Sequence, residues 1–237
     1  MELRGSVALV TGGGRGIGRA IALALAREGV DVTVVSRTAA ELDRVMDEVD
    51  AAGARGLAFA GDLRDASVCR AAVDAAVDRF GALQILVNNA GVGVFSNVAD
   101  TDDEEWDAVL GTNLTGVFRM TRAALPHLAR RGGHVFMISS LAGSNPAAGM
   151  ATYGTSKAAL DYFAHCLMLE TRAQNVKVTT IAPGSVDTSF SGLARPGSTS
   201  WMLTPEDIAQ TVLDLLHMRD RAHSSRVEIR PALPQKR

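Results

Sequence analysis

Along the chain, short runs dominated by Val, Ile and Leu alternate with stretches whose apolar residues recur every three to four positions. The runs predict strands buried on both faces, the periodic stretches predict amphipathic helices, and their alternation predicts a parallel sheet covered by helices. Strands are expected at 6–10, 31–36, 55–60, 84–87, 134–139, 177–181 and 226–229. Between the first two, Ile17, Ile21, Ala24 and Leu25 form one apolar stripe, and Gly29 stands where a helix stops. Residues 67–80 predict a second helix ending before Gly81, and 104–131 a long helical stretch that bends before Pro126. The fold class is α/β: a doubly wound parallel sheet of about seven strands with helices on both faces. No repeat or linker divides 1–237, so one domain is expected, closed by an irregular tail at 231–237 that holds two prolines.

Composition narrows the function classes. A formal charge of -2 with 21% charged residues disfavours a polyanion-binding surface, so nucleic acid is not an expected partner. Cys69 and Cys166 are far apart, with no Cys or His at ligand spacing, which argues against a zinc site or a disulfide framework. The apolar run Val7 to Val10 is too short for a signal peptide core or a membrane span, and a cytoplasmic location is expected.

Candidate chemistry begins at Thr11-Gly12-Gly13-Gly14-Arg15-Gly16-Ile17-Gly18, between the first strand and the first helix. Glycines there let the backbone turn sharply and approach a phosphate at a helix N-terminus. The spacing is not Gly-x-Gly-x-x-Gly, and Arg19-Ala20 after Gly18 excludes a P-loop. Taken alone, the segment is also compatible with a tight structural turn. The second strand ends at Val34-Val35-Ser36-Arg37 without the acidic residue that would bind a ribose 2′-hydroxyl, whereas Arg37 and Arg15 suit a 2′-phosphate. Asp31 lies at the wrong end of that strand.

Further along, Tyr153 and Lys157 stand four residues apart, which on one helix brings an ammonium close to a phenol and favours the phenolate. Asn88-Asn89-Ala90-Gly91 follows the fourth strand, Asn113 lies in Thr-Asn-Leu-Thr-Gly, Ser140 follows the fifth strand, and Pro183-Gly184-Ser185-Val186-Asp187-Thr188 follows the sixth. Singly, each reads as a turn former, a satisfied amide or a helix cap. Their order, together with the glycine turn, resembles the short-chain dehydrogenase/reductase family over most of the chain, and within it the 3-oxoacyl-acyl-carrier-protein reductases.

That resemblance implies a Rossmann-type domain and a soluble enzyme that reduces a ketone or 3-oxoacyl carbonyl to a secondary alcohol. The cofactor implied is NADPH/NADP. Asn113, Ser140, Tyr153 and Lys157 are the implied catalytic residues: Tyr153 protonates the oxygen, Ser140 holds it, Lys157 binds the nicotinamide ribose, and Asn113 holds a relay water. Implied cofactor contacts are Gly12, Arg15, Gly16, Ile17, Gly18, Arg37, Asp62, Leu63, Asn89, Ala90, Gly91, Tyr153, Lys157, Pro183, Gly184, Val186 and Thr188, with Asp62 at the adenine unless it merely caps the next helix.

Two other classes are weaker. A serine hydrolase lacks the Gly-x-Ser-x-Gly elbow, since Ser140 sits in Ser-Ser-Leu-Ala. A non-enzymatic NADP-binding regulator on the same fold has no need of a proton relay. Substrate choice is expected from a loop at about 189–203, whose apolar content suits a partly hydrophobic ketone. Arg130 and Arg131 suit either an acidic carrier or a helix dipole. Val227-Glu228-Ile229-Arg230-Pro231 stands where the family carries Val-Asp-Gly-Gly, a departure that weighs against a role in fatty-acid synthesis. The helix carrying Tyr153 is apolar around most of its circumference, which predicts a homodimer or homotetramer.

Overall fold

Residues 2–190 and 199–233 are described in the computed structural model, and seven of their segments pair as parallel strands of one sheet. The strands are β1 (Val7–Thr11), β2 (Asp31–Ser36), β3 (Gly56–Ala60), β4 (Ile85–Asn88), β5 (Gly133–Ile138), β6 (Val176–Pro183) and β7 (Arg226–Ile229), in the spatial order β3-β2-β1-β4-β5-β6-β7. Each expected strand is present: β2 and β7 keep the expected ends, and the others move by a residue or two. From β1 the chain winds outward to β3, then returns to β4 and winds outward the other way. The junction of β1 and β4 is therefore a topological switch point, with loops diverging above it.

The helices are α1 (Gly16–Arg27), α2 (Ala39–Ala51), α3 (Ala66–Phe80), α4 (Asp103–Leu110), α5 (Val117–Leu128), α6 (Ala151–Thr171) and α7 (Pro205–Leu216). Side chains of β1 alternate between two cores. Ala8 and Val10 face Ile21, Leu25, Val45 and Val212, while Val7 and Leu9 face Val73, Met120, Leu160 and Leu167. Helices α1, α2 and α7 thus cover one face, and α3, α5 and α6 the other. Local chemistry sets their ends: Gly29 and Gly81 take positive φ after α1 and α3, and Thr204 with Asp207 forms a capping box at α7.

The long stretch at 104–131 departs from expectation. Pro126 lies inside α5, and the helix is interrupted earlier, by a π turn at Gly111–Gly116 that separates α4 from α5. Asp62 does not cap α3 either. That role falls to Asp65, whose carboxylate accepts from the Ser67 N–H at 2.7 Å. No described helix is long and apolar enough to cross a membrane. Both cysteines are free, Cys69 buried and Cys166 half-buried. Residues 191–198 of the expected substrate loop and 234–237 of the tail lie outside the described residues.

Candidate active site

A cleft of about 720 Å³ runs along the carboxyl ends of the strands, lined by the turns after β1 to β6 and by the start of α6. Its volume falls within the roughly 300–1,000 Å³ of small-molecule pockets. Its floor is the glycine turn. A Cβ on Gly12 would come within 2.8 Å of Ala90 Cα, and one on Gly18 within 2.4 Å of the Gly12 carbonyl oxygen. The turn is stapled to β4: Asn89 Nδ2 donates to the carbonyls of Thr11 and Gly12 at 3.0 and 3.1 Å, and Thr11 Oγ1 accepts from the N–H groups of Asn89 and Ala90. Helix α1 opens here with no acidic residue in its first turn and no side-chain cap from Arg15, so its first N–H groups have no intrahelical partner.

Charge is collected at the β2 and β3 end. Arg15 reaches Glu41 at 3.9 Å and Ser189 Oγ at 3.4 Å. Arg37 makes no hydrogen bond or ion pair among the described residues, though its charge helps to hold the Asp62 carboxyl below its ordinary range. The larger cause of that shift is the hydrogen bond from Arg64, which binds Asp62 through Nε at 3.0 Å and Nη2 at 2.7 Å. Asp31, at the far end of β2, is paired with Arg55. Across the cleft, the loop after β6 faces the glycine turn, since a Cβ on Gly16 would stand 3.6 Å from Thr188 Cγ2. Pro183, Gly184 and Val186 line the same wall, and Leu63, Asn89, Ala90 and Gly91 the opposite one. Gly184 donates its N–H to the Ile229 carbonyl at 2.7 Å and lies against Pro231, so the segment that departs from the family pattern still supports this turn.

The other end of the cleft brings Ser140, Tyr153 and Lys157 together. Ser140 opens a tight turn after β5, its Oγ accepting from the Ala142 N–H at 3.2 Å. Tyr153 and Lys157 project from the first turns of α6, with 8% and 4% exposure. Burial pushes the Tyr153 hydroxyl above the ordinary phenol value, and a hydrogen bond with Ser140 partly offsets it. The expected lowering by Lys157 is not seen, because the Lys157 ammonium donates to the Ile138 carbonyl at 2.9 Å and lies 5.7 Å from the Tyr153 ring centroid. Burial also pushes Lys157 down to about 8, against the pull of Asp161 one turn along α6. Asp161 is itself held by Arg226 of β7, and its Oδ1 is buried without a hydrogen bond.

Asn113 sits in the π turn beside them. Its Oδ1 accepts from the Val92 N–H at 2.8 Å, and its Nδ2 donates to the Val92 carbonyl at 2.9 Å and to Ser156 Oγ at 3.0 Å. The amide thus ties the loop after β4 to α6. A Cβ on Gly91 would meet Asn113 Oδ1 at 3.3 Å and Lys157 Nζ at 3.7 Å, so Gly91 keeps this corner open.

Phe190, from the described start of the expected substrate loop, lines the cleft and presses its ring against Tyr153. Other lining residues carry no sequence signal: Phe95 also packs on Tyr153, and Glu41 reaches the cleft from α2, a helix the periodicity did not predict. The stapling by Thr11 and the support from Ser156 likewise appear only in three dimensions.

Residues 6–198 match the family described as short chain dehydrogenase. The sepiapterin reductase of Chlorobaculum tepidum is 34% identical over 233 residues, covering 95% of this chain and 96% of that enzyme. The glycine betaine reductase ATRR of Emericella nidulans is 32% identical over 239 residues, but the chain spans only 19% of its length. Among solved structures, a metagenomic short-chain oxidoreductase in complex with NADP superposes with a TM-score of 0.87 at 35% identity, covering 99% of this chain and 100% of that one. A short chain dehydrogenase from Mycobacterium paratuberculosis bound to NAD gives 0.88 at 29% identity, with 97% of each chain covered.

Proposed function

We propose, from the premise that this chain belongs to the short-chain dehydrogenase/reductase family of oxidoreductases, that it uses NADPH to reduce a ketone or 3-oxoacyl carbonyl to a secondary alcohol. One observation carries the reading: Ser140, Tyr153 and Lys157 converge at one end of a cleft whose other end presents Arg15 and Arg37. The cleft fits a dinucleotide, because Gly12 and Gly18 leave no room for a side chain where the backbone must approach a pyrophosphate, and the uncapped start of α1 offers N–H donors. Gly12, Arg15, Gly16, Ile17 and Gly18 would hold the phosphates, and Arg37 a 2′-phosphate. Asp62 and Leu63 would contact the adenine, and Asn89, Ala90, Gly91, Pro183, Gly184, Val186 and Thr188 the ribose and nicotinamide. Bound there, NADPH supplies a hydride to the carbonyl carbon.

The protein's own residues manage the proton. Tyr153 donates from its hydroxyl to the carbonyl oxygen, and Ser140 holds that oxygen by a second hydrogen bond. Lys157, mostly charged below about pH 8, supports the phenolate left behind once its ammonium turns from the Ile138 carbonyl to the cofactor ribose. The Asn113 amide is committed to Val92 and Ser156, so a relay water held by Asn113 belongs on its main-chain carbonyl in the π turn.

NADPH oxidation measured with and without ketone tests the reading. Tyr153→Phe should lower turnover by roughly a hundredfold or more while the variant still binds NADPH. Turnover at the parent rate in the folded variant removes Tyr153 as the acid. NADPH binding with no turnover of any ketone instead favours a regulator. A homo-oligomer joined through the outer faces of α5 and α6 accounts for the 43%, 74% and 63% exposure of Phe118, Tyr162 and Leu169.

A further inference from the structure

Polarity is divided sharply along the cleft. Among the described residues that line it, the charged ones are Arg15, Arg37, Glu41, Asp62 and Lys157, and all but Lys157 belong to the turns after β1, β2 and β3 or to the start of α2. Around Tyr153 the remaining wall is apolar or uncharged. Among the described residues, an anionic substrate would therefore bring its charge to a place with no partner except the lysine that serves Tyr153, at a high desolvation cost. A neutral group meets no such penalty.

Shape narrows the class further. The rings of Phe95, Tyr153 and Phe190 form a triangle, with centroids 5.4 Å apart for Phe95 and Tyr153, 5.6 Å for Tyr153 and Phe190, and 6.5 Å for Phe95 and Phe190. All three pairs are tilted or edge to face, the arrangement that aromatic quadrupoles favour. Both phenylalanines bear on Gly93, where a Cβ would come within 2.8 Å of Phe95 and 2.9 Å of Phe190. They remain 38% and 40% exposed while Tyr153 is 8% exposed, so they form the outer cover of the proton donor. A carbonyl approaching Tyr153 from this side of the cleft displaces the cover and lies against both rings.

Resting on the reductase reading above, we propose that the substrate is an uncharged, planar aryl ketone, with Phe95 and Phe190 as the residues that select it. A flat conjugated ring replaces the ring-to-ring contacts it breaks. A puckered aliphatic ring fills the space without restoring them. Each aromatic contact contributes roughly two- to tenfold beyond area burial, so two walls predict a preference on the order of tenfold.

The test compares 1-tetralone with 1-decalone, which share one carbon skeleton, in steady-state assays with NADPH. The ratio of their kcat/KM values in the parent enzyme should exceed that in the Phe95→Leu/Phe190→Leu double variant by about tenfold. A 1-tetralone bearing a ring carboxylate should be at least tenfold poorer than 1-tetralone. If the double variant does not fold, the parent alone decides: 2-naphthol should inhibit at least tenfold more tightly than decahydro-2-naphthol. An unchanged ratio, equal inhibition by the two alcohols, or equal use of the carboxylate overturns the aryl-ketone assignment while leaving the reductase reading intact. Reduction of other ketones or 3-oxoacyl substrates but not of 1-tetralone overturns the assignment alone, whereas tight NADPH binding without reduction of any carbonyl tried overturns the reductase reading itself, and the assignment with it.

Discussion

Replacement of His134 by Gln should flatten the loss of stability between pH 7.5 and pH 5.0. His134 lies on β5 at 4% exposure, stacked on Phe136 with ring centroids 4.0 Å apart. Thr179 Oγ1 donates its one proton to the Ser224 carbonyl at 2.6 Å, so at 2.8 Å from His134 Nε2 it must accept, which fixes His134 as the neutral Nε2–H tautomer. Burial, with His223 and Lys177 nearby, pushes its pKa down to about 3 from 6.5. The folded-state value is depressed, so the unfolded chain binds the extra proton, and stability falls as pH drops from about 6.5 towards 3. At pH 5.0 the native ring is still neutral while the unfolded ring has been charging for 1.5 pH units, which costs about 2 kcal/mol at 1.36 kcal/mol per unit. Any native value below about 4 gives the same figure. Urea unfolding followed by Trp106 and Trp201 fluorescence, at one protein concentration, measures it. The Gln variant loses the ring stacking and should be less stable at pH 7.5, but the pH 7.5 to 5.0 difference should shrink by about 2 kcal/mol relative to the parent. His223 titrates in both proteins and largely cancels. Equal differences in parent and variant would refute the reasoning.

Arg37→Ala should lower kcat/KM with NADPH by roughly ten- to a hundredfold, the worth of a charge-assisted hydrogen bond, and change the NADH value far less. Equal losses with both cofactors would remove Arg37 from the 2′-phosphate. Asp161→Asn deletes the carboxylate that opposes the effect of burial on Lys157, so Lys157 should lose its proton below about pH 8 and the alkaline limb of the pH–rate profile should move to lower pH. An unmoved limb would show that Asp161 does not set that charge. Sedimentation at micromolar concentration should give a dimer or tetramer that Phe118→Asp shifts towards monomer, and a parent sedimenting only as monomer would refute the paired helices.

The sheet was legible because a strand covered on both faces must be apolar at successive positions, and β1, β4 and β5 are buried throughout. The helices were less so. Helix α2 buries only Leu42, Val45 and Val49, too thin a stripe to stand out beside its charged residues. Helix α7 does carry a local signal, the Thr204 and Asp207 capping box with Pro205 at its first position, which a reading for strands and apolar stripes passes over. Proline misled at 104–131. The Pro126 ring is accommodated within α5, while the interruption at Gly111–Gly116 coincides with the position where Asn113 must reach both Val92 and Ser156. A π turn set by a long-range amide has no local pattern to betray it.

The candidate site divides along the same line. Ser140, Tyr153 and Lys157 could be named from the sequence because their order with the other motifs resembles the short-chain dehydrogenase/reductase family, although singly Ser140 reads as a cap and Tyr153 with Lys157 as a helix pair. Their electrostatics could not be read there, since spacing puts an ammonium near a phenol but does not say which way it points. In the folded chain the ammonium is satisfied by the Ile138 carbonyl, and burial moves the two groups in opposite directions, Tyr153 up and Lys157 down to about 8. Both shifts favour the uncharged forms, so the pair rests as a neutral phenol beside a readily discharged amine. A proton donor needs its proton before the reaction and a nearby charge only after it. Burial supplies the first condition, and in the proposed mechanism the second would come from Lys157 turning from the Ile138 carbonyl to the cofactor ribose.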